Sequence, residues 1–196
     1  KEYKNSEIKT LLDNLGFKYK ELTDEEKWKK EIVDLILKNY VVGYFQGRME
    51  FGPRALGSRS IIANPADVNM QKKLNLKIKF RESFRPFAPI VMDECSNDWF
   101  KIKNKNEYML LTYFFRDEKR FEDSMKEGLK KIDHVYSKVP AVTHVDYSAR
   151  AQIIKKNFNC KIYSLIEQFY KKTDIPMLIN TSFNIRGEPI INSPPD

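Results

Sequence analysis

The chain holds only two cysteines and two histidines in 196 residues. Cys95 and Cys160 stand alone without Cys-x-x-Cys spacing, so neither a disulfide framework nor a zinc ribbon is indicated, and a reducing, cytoplasmic setting is expected. His134 and His144 are not spaced as a ligand pair, and no metal site is expected. No apolar run nears the roughly 20 residues that cross a bilayer. The opening residues, Lys1 to Asn5, lack the apolar stretch of a secretory signal. Glycine is scarce, at seven residues, and no Gly-x-Gly-x-x-Gly occurs. Gly47-Arg-Met-Glu-Phe-Gly52 has the glycine spacing of a phosphate loop, but Pro53-Arg54 stands where Lys-Ser/Thr belongs, and Pro53 has no N–H to donate. Any phosphate bound here must be held largely by Arg and Lys side chains.

Those side chains are present and concentrated. The chain has 35 basic and 27 acidic residues, net +8. Between Gly47 and Arg85, five Arg and four Lys face three acids, so that +6 of the charge falls in 39 residues. Arg48, Arg54, Arg59, Lys79, Arg81 and Arg85 sit among Gly, Pro and aromatics rather than along a solvated Lys-rich helix. A guanidinium is a rigid donor fork that matches carboxylate and phosphate oxygens two at a time. Like charges this close need counter-ions or they destabilise the fold. Glu50 beside Arg48 and Glu82 beside Arg81 supply part of that, and the surplus points to a compact external polyanion.

Two further groups are polar and patterned. His144, Asp146, Ser148, Arg150 and Gln152 alternate with apolar residues, which on a strand places all five on one face. A solvent-facing strand would show the same alternation, and no Ser-His-Asp triad follows from such neighbours. Asn180-Thr-Ser-Phe-Asn184 and Arg186-Gly-Glu follow an apolar strand, where open α/β sheets place ligands, although an ordinary polar turn reads the same way. No nucleophile or acid–base pair stands out, so catalysis here would be positioning and charge stabilisation.

The periodicity predicts helices over 6–15, from a capping box at Thr23-Asp-Glu-Glu26 to about Lys38, from Asn64-Pro65 to about Leu76, and over 160–172. Strands are expected at 41–46, 87–92, 108–115, 139–145, 150–154 and 175–179, the first and last of them buried. The tract 116–133 reads as an exposed charged loop or short helix. This mixture in one unit is α/β, bordering on α+β, with a helical segment at 1–40 packed on a core domain at 41–196. Ser193-Pro-Pro-Asp196 resembles a helix cap and there is no initiator Met, so the chain is expected to be excised from a longer protein and truncated at its C-terminus.

Gly47-Arg-x-Glu-Phe-Gly-Pro-Arg-Ala-Leu-Gly-x-Arg-Ser60, Lys79-x-Arg-Glu-x-Phe-Arg-Pro-Phe-Ala-Pro89, His144-x-Asp-x-Ser-x-Arg-x-Gln152 and Asn180-Thr-Ser-Phe-Asn-x-Arg-Gly-Glu-Pro189 together resemble the C-terminal domain of the O-carbamoyltransferases, which modify nodulation factors, tobramycin and cephamycin. The resemblance covers the chain from Val41 onward. It implies a YrdC-like twisted mixed sheet flanked by helices, a single domain that makes carbamoyl-adenylate from carbamoyl phosphate and ATP with Mg²⁺, releasing pyrophosphate. An N-terminal actin-like domain of the same protein, with its own metal ion, would pass the carbamoyl group to a sugar or other hydroxyl acceptor. Arg54, Lys79 and Arg85 would bind the carbamoyl and phosphate oxygens as the catalytic set. Arg150, Asn180 and Ser182 would hold the adenylate, with Arg81, Thr181 and Arg186 contributing.

The family often has His at the place of Ser58 and Thr-Val after Gln152, where this chain has Ile153-Ile154. No actin-like domain is present, so the chain alone is expected to bind ATP or carbamoyl phosphate weakly and not to transfer a carbamoyl group. The alternative is an RNA-binding module related to tRNA-modifying YrdC-like proteins, suggested by pI 9.3 and ten Tyr. Placement of the cations among turns, not along a helix, argues against a nucleic-acid partner, and no membrane partner is expected.

Overall fold

A computed structural model of the chain describes residues 1–122 and 134–196, so most of the charged tract expected at 116–133 lies outside the described residues. Helices α1 (Asn5–Asn14) and α2 (Glu25–Leu37) come first, then strands β1 (Val42–Phe45) and β2 (Arg59–Ala63). Helix α3 (Met70–Leu74) continues directly into a π-helical turn, Asn75–Lys79. Strand β3 (Ala88–Met92), helix α4 (Ser96–Trp99) and the short strands β4 (Phe100–Lys101), β5 (Tyr113–Phe115), β6 (Ser148–Ala149) and β7 (Gln152–Ile154) follow. Helix α5 (Cys160–Thr173) and strand β8 (Met177–Ser182) complete the order. Five strands form one mixed sheet, β1-β2-β8-β3-β7, antiparallel except for the parallel β3–β7 pair. A smaller antiparallel sheet, β4-β5-β6, shares the same hydrophobic core, which makes this a mixed α/β single domain.

Burial explains the layout. β2, β3 and the first four residues of β8 are buried nearly throughout, so these central strands are covered on both faces. α5 covers the sheet with Ile162, Leu165, Ile166 and Phe169, a 3.6-residue stripe that is wholly buried. Each such side chain contributes about 1.5–3 kcal/mol when removed from water. Asn159 caps α5 by accepting from the Ile162 N–H, and Asp174 ends it in the left-handed region at φ 57°. α2 packs on α5 and buries Val33 and Ile36, whereas α1 buries no side chain fully. Gly43 of β1 lies under the Phe183 ring, where a Cβ would meet ring carbon at 2.5 Å.

Several boundaries differ from the sequence reading. Asp24, not Thr23, caps α2 by accepting from the Lys27 N–H at 2.9 Å. Asn64 Oδ1 accepts from the Ala66 N–H, a local turn that delays the third helix to Met70. β1 is an edge strand in which only Tyr44 is buried, so the strand is not the buried one expected. β2 was not anticipated, because its Arg and Ser hide a strand that is buried throughout. β5 shortens the segment read as 108–115, since Met109 has φ 54°. Pro140–Val142 forms a 3-10 turn rather than a strand. At the other end of the chain, Asp196 Oδ2 accepts from the Asn192 and Ser193 N–H groups.

Candidate functional site

The C-terminal end of β8 opens into a cavity of about 740 Å³. Segments from far apart in the chain converge on it: the residues before β2, the π turn, the approach to β3, the turn around β6, and the loop after β8. Arg54, Lys79, Arg81, Arg85, Arg150, Asn180, Thr181, Ser182 and Arg186 all line it, together with Glu82, His144 and Asn184. Among the described residues, six cations thus share one concavity with a single carboxylate. Glu82 is turned to Arg85 at 3.7 Å, not to Arg81, and both side chains are more than half exposed, so this pairing neutralises little.

Lys79 is the most constrained of the cations. It ends the π turn, and Phe80 beyond it is forced to φ 46°. A π turn followed by a left-handed Phe is strained, and such strain persists only where the surroundings impose it. Only 8% of Lys79 is exposed. Its Nζ donates to the Ser182 carbonyl at 2.6 Å, the Asn184 carbonyl at 2.9 Å and Asn184 Oδ1 at 2.8 Å. No carboxylate compensates the buried charge, and burial first, then Arg81, pulls its pKa down to about 8. Arg81 is depressed by burial and by Arg85; its Nε donates to Asn75 Oδ1, and its guanidinium lies over the Phe87 ring. Arg150 is lowered by burial and by Arg54, and its buried Nε has no hydrogen-bond partner. Arg186 donates to the Phe80 carbonyl at 2.9 Å. An anion in this cavity would relieve each of these depressions.

Asn180 lies on the cavity floor at 1% exposure. Its Nδ2 donates to Ala55 O at 3.2 Å and Gln152 Oε1 at 2.8 Å, while its buried Oδ1 accepts nothing. The cavity therefore combines a cation cluster with an unmet acceptor. His144 also lines it, with its imidazole pKa lowered chiefly by burial.

Two cations proposed for the site lie elsewhere. Arg59 is fully buried in β2 and donates to the carbonyls of Gln46, Ser58, Gly47 and Asn192, with its guanidinium 3.6 Å from the Phe45 ring centroid. It is structural, because its donors are taken by the protein's own backbone. Arg48 is exposed and outside the cavity lining. Glu50 does not pair with Arg48; its carboxylate accepts from the N–H groups of Leu56, Ser58 and Arg59 and so shapes the loop that carries Arg54. The single polar face expected for 144–152 is broken as well. Tyr147, at φ 61°, closes a turn in which the Tyr147 N–H donates to the His144 carbonyl. His144 and Arg150 reach the cavity, Asp146 accepts from Ser148, and Gln152 is buried behind the floor. Asn184, part of the polar stretch singled out after β8, proves to be the partner of Lys79 across 105 residues of sequence, and Glu50 braces a loop instead of neutralising Arg48. Neither contact has a local sequence signal.

Among the described residues no group of three or more His, Cys, Asp or Glu could hold a metal ion, and no helix is long and apolar enough to cross a membrane.

Fold and site define a mixed α/β domain with a polycationic cavity at the end of its central strand. Residues 33–196 match the family model described as Carbamoyltransferase C-terminus, and the chain belongs to that family. An uncharacterised protein of Synechocystis sp. is 45% identical over 99% of this chain. Nodulation protein NolNO of Sinorhizobium fredii is 39% identical over 80% of it, and nodulation protein U of the same species 38% over 80%. The chain spans 32%, 21% and 25% of those three relatives, respectively.

Proposed function

We propose that this domain binds carbamoyl phosphate and ATP-Mg²⁺ in the cavity at the end of β8 and forms carbamoyl-adenylate, from which a further domain passes the carbamoyl group to a hydroxyl acceptor. The observation that carries this reading is the six cations around one cavity with one poorly placed carboxylate. Two polyanions brought together for reaction repel each other, and fixed cations in a partly desolvated site offset that repulsion without reorganising. Atom balance sets the sequence of steps. For ATP to release pyrophosphate, an oxygen on the carbamoyl side must attack the α-phosphorus. Water therefore first cleaves carbamoyl phosphate to carbamate and inorganic phosphate, and the carbamate oxygen then displaces pyrophosphate. Arg54 and Arg85 hold the phosphate of the first substrate, Lys79 adds its charge beside it while its three N–H donors stay on Ser182 and Asn184, and Arg150, Asn180 and Ser182 hold the adenylate, with Arg81, Thr181 and Arg186 at the edge. The hydrogen bonds of Lys79 to Ser182 and Asn184 keep the loop after β8 against the cavity.

The test is melting of the chain with millimolar carbamoyl phosphate, ATP-Mg²⁺ or both, since a bound ligand stabilises by mass action. A melting shift that Arg150→Ala abolishes while the variant stays folded is the expected result. Release of one inorganic phosphate and one pyrophosphate per adenylate formed is the second readout. No shift with either ligand at millimolar concentration overturns the reading. Filter binding of RNA across a salt series measures the alternative, for which affinity must fall steeply with salt.

A further inference from the structure

Behind the cavity floor, and outside its lining, Gln152 of β7 is wholly buried. Its Nε2 donates to the Leu56 carbonyl at 2.9 Å, and its Oε1 accepts from Asn180 Nδ2 at 2.8 Å. A backbone carbonyl can only accept, so the Leu56 contact leaves the Gln152 amide one orientation, with oxygen toward Asn180. Asn180 must then present its nitrogen to that oxygen. The Ala55 carbonyl, also acceptor-only, demands the same orientation. The amide of Asn180 is therefore locked with Oδ1 away from these partners, buried and unmet, in a residue that lines the polar cavity. A buried acceptor without a donor costs free energy that a ligand N–H recovers.

We infer that Gln152 is a positioning residue that aims Asn180 Oδ1 at the amino group of an acyl phosphate, so that the cavity selects carbamoyl phosphate over acetyl phosphate. The inference rests on the carbamoyl phosphate reading of the cavity and adds the origin of its selectivity. The two ligands share the phosphate and the carbonyl, and differ in an amino group against a methyl. Only the amino group donates to Asn180. A methyl there leaves the acceptor unmet, which is the arrangement that discriminates most strongly between near-isosteres.

The experiment measures dissociation constants of inorganic phosphate, acetyl phosphate and freshly dissolved carbamoyl phosphate by calorimetry, for wild type and Gln152→Met. Wild type is expected to prefer carbamoyl over acetyl phosphate by about tenfold, the effect of one net hydrogen bond. In Gln152→Met the preference should fall below about threefold while inorganic phosphate affinity changes by less than about fivefold, a split that general loosening of the fold would not produce. A folded Gln152→Met that keeps the wild-type preference overturns the inference, as does a wild type that binds phosphate without preference; in both cases the cavity remains a phosphate site. Failure of wild type to bind any of the three ligands overturns the underlying reading instead. If Gln152→Met does not fold, Asn180→Leu decides: loss of the preference supports the inference, and its survival overturns it.

Discussion

Lys79 Nζ lies 2.6 Å from the Ser182 carbonyl oxygen, so a buried ammonium without a carboxylate partner ties the π turn to the end of β8 across 103 residues of sequence. The pair couples charge, fold and site. Because burial and Arg81 pull Lys79 down to about 8 from the ordinary 10.5, the unfolded chain holds this proton more tightly than the folded one. The cost of the buried charge is fully present below pH 8 and is relieved as pH rises from 8 to 10.5. Wild type should therefore gain stability relative to Lys79→Met over that window, by up to about 3 kcal/mol. Urea unfolding of both proteins at pH 7.5, 9 and 10.5 tests this, and parallel pH dependences would contradict it.

The same proton links to ligand binding. A phosphate in the cavity favours the charged form of Lys79, so binding above pH 8 takes up a proton and weakens as pH rises. Calorimetry at pH 8.5 in two buffers of different ionisation enthalpy should show net proton uptake. The melting shift given by inorganic phosphate should shrink between pH 8 and 10. Lys79→Met should lose both effects.

Arg150 and Arg59 make opposite predictions from similar chemistry. Arg150→Ala removes a cation whose Nε has no partner and whose neighbour Arg54 repels it, so unfolding free energy should change by less than about 1 kcal/mol. ATP-Mg²⁺ affinity should drop about 10- to 100-fold, as for loss of a charge-assisted hydrogen bond. A folded Arg150→Ala with unchanged ATP affinity would remove Arg150 from the site.

Arg59→Ala strips donors from the carbonyls of Gln46, Gly47, Ser58 and Asn192 inside the fold. It should destabilise by at least about 3 kcal/mol, and Arg59→Lys should not rescue it, since an ammonium cannot reproduce the planar fork. Denaturant midpoints decide this, and a stable Arg59→Ala would contradict the structural role.

Gly43→Ala should cost about 1–3 kcal/mol, because the new methyl meets the Phe183 ring. Phe183 lies between Ser182 and Asn184, the two residues that accept from Lys79, so weaker phosphate binding should accompany the loss. Adding Phe183→Leu should recover part of the stability. A double variant no more stable than Gly43→Ala would show that the ring is not the obstacle.

Patterns carried by neighbours in the chain were readable before any coordinates. The stripe of α5 repeats every 3.6 residues, and the cations cluster between Gly47 and Arg85 beside turn formers, so helix and polyanion chemistry follow from residue type and spacing alone. The mixed α/β class follows in the same way. Contacts between distant segments were not readable. Arg54 and Arg59 are five residues apart and look alike in sequence, yet one lines the cavity and the other donates to buried carbonyls, because the pleat and the Glu50-braced loop point them apart. β2 was hidden for the same reason: its buried Arg59 is satisfied largely by the carbonyls of Gln46, Gly47 and Asn192, which tertiary structure brings to it. The chain by itself determined that a dense positive charge must meet an anion somewhere. Only the packing of β8 against β2 and β3, with the π turn closing over its end, decided which cations share the cavity and which way the Asn180 acceptor faces, since hydrogen-bond direction depends on geometry that no one-dimensional pattern encodes.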